Sequence, residues 1–430
     1  MLRTHYINEA IKESGSELAI AGWVQETRNL GKIRFLLLRD RTGIIQITSK
    51  EGISSPELHA KMDLPNETVI CVRGKPVPSK IAQAKVEFIP SHIEVLSTPS
   101  KKVPLDVSGK IPSDIEVRLN NRHVDLRTSH ASAIFSIEHT IMGAFREACT
   151  KEGFLEIRPP SIVAAATEGG SDLFKVQYFE RDAYLAQSPQ LYKQLAVIGG
   201  MDKVFMSVPV FRAEKHNTTS HLNEVLQMDV EIGFADHIDA MDMLEKVVLQ
   251  ILNEVKKENE KELKLLNCAL PTPEKIPRHT YSQLVELLQK NNHSFEWGSD
   301  FSREDEAKIF SLLGEELYFI YEWPTAIRAF YSMPSSANPK ICNAFDLCYR
   351  GMEIASGAQR IHAPEIIEAQ LLSRGLSAAD FEFYIDAFRV GAPPHAGWSI
   401  GLERIAMCIS GQKNIRECAL FPRDRTRLSP

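Results

Sequence analysis

The pattern of apolar and polar positions changes character near residue 98. Up to that point short β-branched and aromatic runs recur between turn signals: Leu18 to Val24, Ile33 to Leu38, Gly43 to Thr48, Val69 to Gly74, and Val86 to Ile89 followed by Ile93 to Leu96. Such a series in so short a segment predicts a small β-barrel over residues 1–98. The Pro-, Ser- and Lys-containing stretch Ser97 to Pro104 predicts a linker, and the Arg-rich segment Arg118 to Arg127 a hinge, together residues 99–130. From residue 131 the period becomes helical, with Phe135, Ile141, Phe145 and Ala148 near one face and Gly153 past the helix end. Strands at Tyr184 to Ala186, Lys203 to Phe211 and Leu226 to Phe234 then alternate with long helices such as Ile238 to Lys257. A small helical insertion near 270–330 (Ser282 to Asn291, Glu304 to Leu313) precedes further strands. The whole predicts an α+β protein whose larger domain, 131–430, is built on an antiparallel sheet.

Composition is that of an ordinary globular chain, which excludes disordered and collagenous classes. No apolar run approaches the roughly 18 to 20 residues that span a bilayer, and the first residues lack the apolar core of a secretory signal, so no membrane and a cytoplasmic location are expected. The 7 cysteines are scattered and contain no Cys-x-x-Cys pair, which argues against zinc and disulfides and for a reducing compartment. A net charge of −6 speaks against a nucleic-acid partner until it is divided. Residues 1–98 carry 13 basic against 11 acidic side chains, and the remainder 37 against 45, so the acidity lies outside the barrel.

Three segments of the larger domain are too polar for core yet sit in strand-like surroundings. In the first, Phe211-Arg212-Ala213-Glu214 ends an apolar strand and leads into a donor-rich loop through His221 to Asn223-Glu224. A guanidinium there suits phosphate oxygens; a surface hairpin with Arg and Glu paired to each other is the plainer alternative. In the second, Gly397-Trp398-Ser399-Ile400-Gly401-Leu402-Glu403-Arg404 places glycines before an apolar helix face and an arginine in its first turn, although a helix start with a solvated arginine looks the same. In the third, Asp346, Glu353, Ser356 and Arg360 flank Arg350-Gly351. A turn there brings the two carboxylates together around magnesium; otherwise they are ordinary surface acids. Neither a P-loop nor a Gly-x-Gly-x-x-Gly fingerprint occurs.

Taken in order, these segments resemble motifs 2 and 3 of the class II aminoacyl-tRNA synthetases, and the helix from Phe135 with Gly153 to Pro160 resembles motif 1. Further signatures are similar to those of the archaeal and eukaryotic aspartyl-tRNA synthetase family: Ala166 to Ser171, Leu185 to Lys193, Ser356 to Arg360, Pro393 to Gly397 and Phe421 to Asp424. The resemblance covers the whole chain and implies an N-terminal OB-fold anticodon-binding barrel and a class II catalytic domain, without the bacterial insertion domain. The activity it implies is ATP-dependent activation of L-aspartate to aspartyl-adenylate, then transfer to the 3′ end of tRNA(Asp), with tRNA(Asn) left open, by a homodimer formed through motif 1.

The residues follow by position. The resemblance makes Arg212, Glu214 and Arg404 the catalytic set: Arg212 bridges the α-phosphate and the substrate carboxylate, Glu214 reads the adenine edge and Arg404 covers its face. Ala213, Ser220, His221, Leu222, Glu353, Gly401, Leu402 and Glu403 complete the ATP site. Val225 stands where some relatives have an adenine-packing aromatic. Asp346, Glu353 and Ser356 are implied ligands of Mg2+. Arg360 would grip the aspartate side-chain carboxylate with Lys193 assisting, Glu168, Ser188, Gln190 and Asp229 would hold the amino group, and Glu168-Gly169-Gly170 would close over it as a lid. In the barrel, Arg28, Phe35 and Gln46 match anticodon-contacting positions, while Phe35 read alone fits a strand core equally well; Gln25, Lys80 and Ile81 match neither pattern of tRNA(Asn) discrimination. The alternatives are an asparaginyl-tRNA synthetase, a non-catalytic synthetase-like paralogue, and an ammonia-dependent asparagine synthetase, the last disfavoured by the attached barrel.

Overall fold

The computed structural model describes residues 2–80, 82, 84–164, 173–215 and 218–430. The chain divides after Ser132 into two compact units.

The first unit is a closed five-stranded barrel of β1 (Leu18–Asn29), β2 (Ile33–Asp40), β3 (Gly43–Lys50), β4 (Val69–Pro78) and β5 (Val86–Ser97), in the order β1-β2-β3-β5-β4. The two runs read separately around residue 90 are one strand, β5; a register shift opposite, at Arg73/Gly74, lets it bend and continue. Strict alternation fills the interior: Leu36 and Leu38 of β2 and Ile45 and Ile47 of β3 are fully buried. The segment expected as a free linker groups with this unit. Arg127 and Arg39 both bond the buried Glu67, at 2.9 Å each, and Arg118 and Arg122 converge on Asp125 at 2.8 and 2.5 Å.

The second unit contains a three-stranded sheet of Ile162–Val163, Arg181–Leu185 and Lys175–Tyr178 and is built on a larger, eight-stranded sheet. The strands of the larger sheet are β6 (Leu155–Glu156), β7 (Lys203–Phe211), β8 (Glu224–Gly233), β9 (Arg278–Thr280), β10 (Leu317–Pro324), β11 (Ile341–Tyr349), β12 (Met352–Arg360) and β13 (His395–Gly401). They lie in the order β9-β10-β11-β12-β13-β8-β7-β6. The six central strands are antiparallel as expected, but both edge strands, β6 and β9, pair in parallel, so the sheet is mixed. Helices α1 (Ser129–Lys151), α2 (Gln190–Ala196), α3 (His237–Glu258), α4 (Tyr281–Lys290), α5 (Arg303–Leu313), α6 (Pro364–Ser373), α7 (Glu382–Arg389) and α8 (Leu402–Ile409) surround it. The region of α6 and α7 was not foreseen.

One face of the sheet is core. Met228, Val230, Trp398 and Ile400 pack there against Ile134, Ile141 and Phe145 of α1, Leu244 and Val248 of α3, and Ile405 and Ile409 of α8. Trp398 is fully buried with Phe145 at its edge, ring centres 6.2 Å apart. The other face is polar, because residues two apart alternate sides and pairing aligns them across strands. Asp346, Ser356, Ser399 and Asp229 are successive register partners across β11, β12, β13 and β8. No helix of the described residues is long and apolar enough to cross a membrane.

Candidate active site

The polar face holds two cavities. One, of about 430 Å³, is lined by Ser188, Gln190, Lys193, Arg212, Gln227, Asp229, Arg328, Tyr331, Glu353, Ser356, Arg360 and Ser399, among others. The second, of about 250 Å³, is lined by Arg212, Glu214, Ser220, His221, Leu222, Val225, Gln227, Glu353, Ser356, Ser399, Gly401, Glu403 and Arg404, with Ile415 at its side. Arg212, Gln227, Glu353, Ser356 and Ser399 belong to both, so the cavities meet at Arg212. Nearly all the residues expected to hold ATP therefore line one cavity, and all the described residues expected to hold aspartate line the other. Ala213 and Leu402 lie beside the second cavity in sequence and do not line it. Glu168, the loop around it, His216 and Asn217 lie outside the described residues.

Arg212 sits just past β7. Its amide donates to Asn223 O at 2.9 Å, and Asn223 Nδ2 donates back to Arg212 O at 2.6 Å, so the hairpin base is clamped while the side chain is left for the cavity. Both Arg212 and Glu214 line the second cavity, and among the described residues no ion pair joins them. Arg404, in the first turn of α8, donates to Glu353 O at 3.1 Å and lies 3.3 Å from His221 Nε2. His221 Nδ1 meets Thr218 Oγ1 at 2.7 Å. Burial lowers the His221 pKa; Glu214 opposes the shift, and Arg404, Arg303 and Arg212 add to it. Glu403 points inward instead: it accepts the Leu226 amide at 3.0 and 3.2 Å and burial pushes its carboxyl up to about 7.

In the first cavity the cations are anchored by acids. Arg360 donates through Nε and Nη2 to Glu231 at 2.9 and 3.2 Å, and lies over the Tyr331 ring. Lys193, 1% exposed although it belongs to a short helix, contacts Asp229 at 2.7 Å and Glu231 at 3.5 Å. Ser399 donates to the other Asp229 oxygen at 3.0 Å. Gly397 is required here: a Cβ would stand 2.2 Å from Glu231 Oε2 and from Val230 O. Behind Arg360, the strand partner His395 contacts Gln194 at 2.9 Å and donates Nδ1–H to Pro393 O at 2.8 Å, which leaves Nε2 as the acceptor.

The β11–β12 turn forms as expected, with positive φ at both Arg350 and Gly351, the two-residue hairpin conformation. It sets Asp346 opposite Ser356 and Glu353 opposite Cys348. Burial raises the Asp346 carboxyl despite the pull of Arg328, and Glu353 adds to the rise. Glu306 of α5 is pushed up to about 7 by burial, with Glu353 and Asp346 contributing. Accumulated negative charge among oxygen donors suits a hard cation, and two carboxylates are what magnesium takes when phosphates and water fill its shell. Among the described residues no larger acidic or His/Cys cage exists.

Sequence reasoning gave His395 no role, although it lies inside the Pro393 to Gly397 signature, and missed Arg328, Glu231, Gln194 and Glu306. Glu231 alone had a signal: it lies two residues after Asp229 on the same strand face.

In the barrel, Arg28 pairs with Phe35, Phe35 with Thr48, and Leu37 with Gln46, so all five share one face. Leu36 and Leu38 take the interior, which places Phe35 on the outer face and not in the barrel core. Arg28 bonds Glu26 at 2.8 Å, and Gln46 contacts Thr48 and Glu87 at 3.3 and 3.5 Å.

Residues 114–425 match the family of class II tRNA synthetases (D, K and N), and residues 18–96 match the OB-fold nucleic acid binding domain. The chain belongs to this class of synthetases. Within it, the chain is 45% identical to the aspartate-tRNA(Asp/Asn) ligase of Methanocaldococcus jannaschii, over 100% of this chain and 98% of that one. It is also 45% identical to the aspartate-tRNA(Asp) ligase of Pyrococcus furiosus, over 100% of both. Among solved structures, the asparaginyl-tRNA synthetase of Pyrococcus horikoshii complexed with asparaginyl-adenylate superposes with a TM-score of 0.95 at 32% identity, covering 100% of both chains. The aspartyl-tRNA synthetase of Entamoeba histolytica does so at 0.88 and 33%, covering 99% of this chain and 92% of that one. Backbone likeness does not separate the two amino acids; full-length sequence likeness is to aspartate ligases.

Proposed function

We propose that the protein activates L-aspartate with ATP and transfers it to tRNA(Asp). The observation that carries this reading is the pair of cavities meeting at Arg212. The reaction needs the aspartate α-carboxylate in line with the α-phosphate, and one guanidinium reachable from both cavities holds both and neutralises the charge that develops between them. The first cavity presents four cations, Lys193, Arg212, Arg328 and Arg360, beside the acids Asp229 and Glu353, so it offers partners for both carboxylates and for the ammonium of the substrate. Arg360 takes the side-chain carboxylate; an amide in its place leaves the cations less well paired. Asp229, Ser188, Gln190 and Glu168 hold the ammonium.

In the second cavity Glu214 reads the adenine, Arg404 covers it and His221 contacts the outer phosphates; Val225 supplies only aliphatic packing on the other side. Asp346 and Glu353, with Ser356 beside them, would hold Mg2+, which would supply positive charge against the phosphates of ATP. The outer face with Arg28, Phe35 and Gln46 stacks and reads anticodon bases. Support for a homodimer comes from the edge strand β6, whose Leu155 is exposed, and from exposed Phe179 and Phe234 in the same unit.

Charging of tRNA(Asp) transcripts with labelled aspartate tests the reading, and tRNA(Asn) run alongside decides the second substrate. Activation without any transfer to tRNA(Asp) would refute it.

A further inference from the structure

Arg328 follows the short turn Thr325–Ile327 after β10. Its backbone is pinned from behind, because Arg374 donates Nη2 to Thr325 O at 3.1 Å and to Arg328 O at 2.9 Å. The side chain alone is left to move. Its guanidinium rests on the Trp323 ring, 4.7 Å from the centre, and spans both oxygens of Asp346: Nη1 donates to Oδ2 at 3.0 Å and Nη2 to Oδ1, while Nη2 also donates to Ser356 Oγ at 3.0 Å. Thus Asp346 and Ser356, two of the residues read as magnesium ligands, are both held by one internal cation. A second cation arriving there faces a fixed positive charge at contact distance.

The guanidinium has an open side facing a cavity. It lines the first cavity together with Lys193, Arg212 and Arg360. While that cavity is empty, swinging Arg328 into it brings four cations together with no new anion to receive the charge. A triphosphate reaching Arg212 supplies that anion. We propose that Arg328 is a stand-in cation for the metal site: it holds Asp346 while the cleft is empty and turns to phosphate when magnesium comes with ATP, so that metal binds with nucleotide and not before it. This rests on the reading of Asp346 and Glu353 as metal ligands. The plainer account, a fixed structural ion pair, keeps metal off Asp346 with the nucleotide as well as without it.

The test uses Mn2+ as the probe, with free Mn2+ followed by electron paramagnetic resonance on the full-length protein, without nucleotide and with a non-hydrolysable ATP analogue. Arg328→Gln keeps a donor beside Asp346 and removes the charge; Arg328→Lys keeps the charge. Nucleotide-free Arg328→Gln is expected to bind Mn2+ on the order of tenfold more tightly than the unaltered protein, and Arg328→Lys to bind it as weakly as the unaltered protein. Equal affinity of the Gln variant and the unaltered protein overturns the proposal. So does tight nucleotide-free binding by the unaltered protein, a result that needs no variant to fold. Adding Glu353→Gln separates the two levels: if Mn2+ binding with the analogue ignores that change, the metal reading falls and the proposal with it. If Mn2+ binding responds to Glu353→Gln while Arg328→Gln does nothing, the role of Arg328 alone falls.

Discussion

Replacing Arg360 separates two jobs that its position combines. The side chain is 3% exposed and makes two charge-assisted bonds to Glu231, itself fully buried. Arg360→Leu leaves Glu231 with only the 3.5 Å contact to Lys193. Breaking a buried pair from one side costs about 3 to 5 kcal/mol of stability. The substrate carboxylate loses its partner too, and truncating one side of a buried charged pair costs about 2 to 5 kcal/mol, or roughly 30-fold to several thousand-fold in kcat/KM for aspartate. The double change Arg360→Leu with Glu231→Leu removes both charges, so most of the stability should return because no carboxylate is left unpaired. Aspartate kcat/KM should not return. Thermal melts report stability, and pyrophosphate exchange at varied aspartate and then varied ATP reports the two substrates. The reasoning is refuted if the double variant regains aspartate kcat/KM, or if ATP affinity falls as far as that of aspartate.

Gly397→Ala should lower the melting temperature and weaken aspartate binding together, because the added methyl must displace either the Glu231 carboxylate or the β8 backbone; an unchanged aspartate KM would show that Glu231 does not position Arg360. The Glu403 carboxyl, raised to about 7 by burial from an ordinary 4.5, is protonated more readily in the folded protein than in the unfolded chain. Its stabilisation is full below pH 4.5 and is lost as pH rises through 7, up to about 3 kcal/mol. Glu403→Gln should therefore gain on the unaltered protein in melts between pH 5 and pH 8, and a constant difference would contradict the burial argument. Phe35→Ala should raise the KM for tRNA by the loss of one stacked base, about 1 to 3 kcal/mol, while leaving pyrophosphate exchange untouched; a fall in exchange would mean that the barrel is damaged.

What the sequence made legible was local. The Asp346–Glu353 hairpin was readable because Arg350-Gly351 fits a two-residue turn, and the Arg212 hairpin because an apolar strand breaks into donors. Phe35 could pass for barrel core only until the register put Leu36 and Leu38 inside. The illegible part was pairing at a distance. Arg360 and Glu231 are 129 residues apart, and the sequence that put Lys193 beside the substrate gave no sign that it is a core cation paired with Asp229. Arg328 carried no motif, and its meaning depends on Asp346 across the neighbouring strand. The α6–α7 region escaped because both helices are short, of 10 and 8 residues, and their apolar side chains face a separate small core around Phe330 and Tyr384.

The central claim is that this site activates aspartate, and ATP–pyrophosphate exchange with aspartate and asparagine side by side tests it most directly. Aspartate should drive exchange, with asparagine weak or inactive. Equal rates with the two amino acids, or exchange driven by asparagine alone, would contradict the assignment of Arg360, Lys193 and Arg212 to a substrate with two carboxylates.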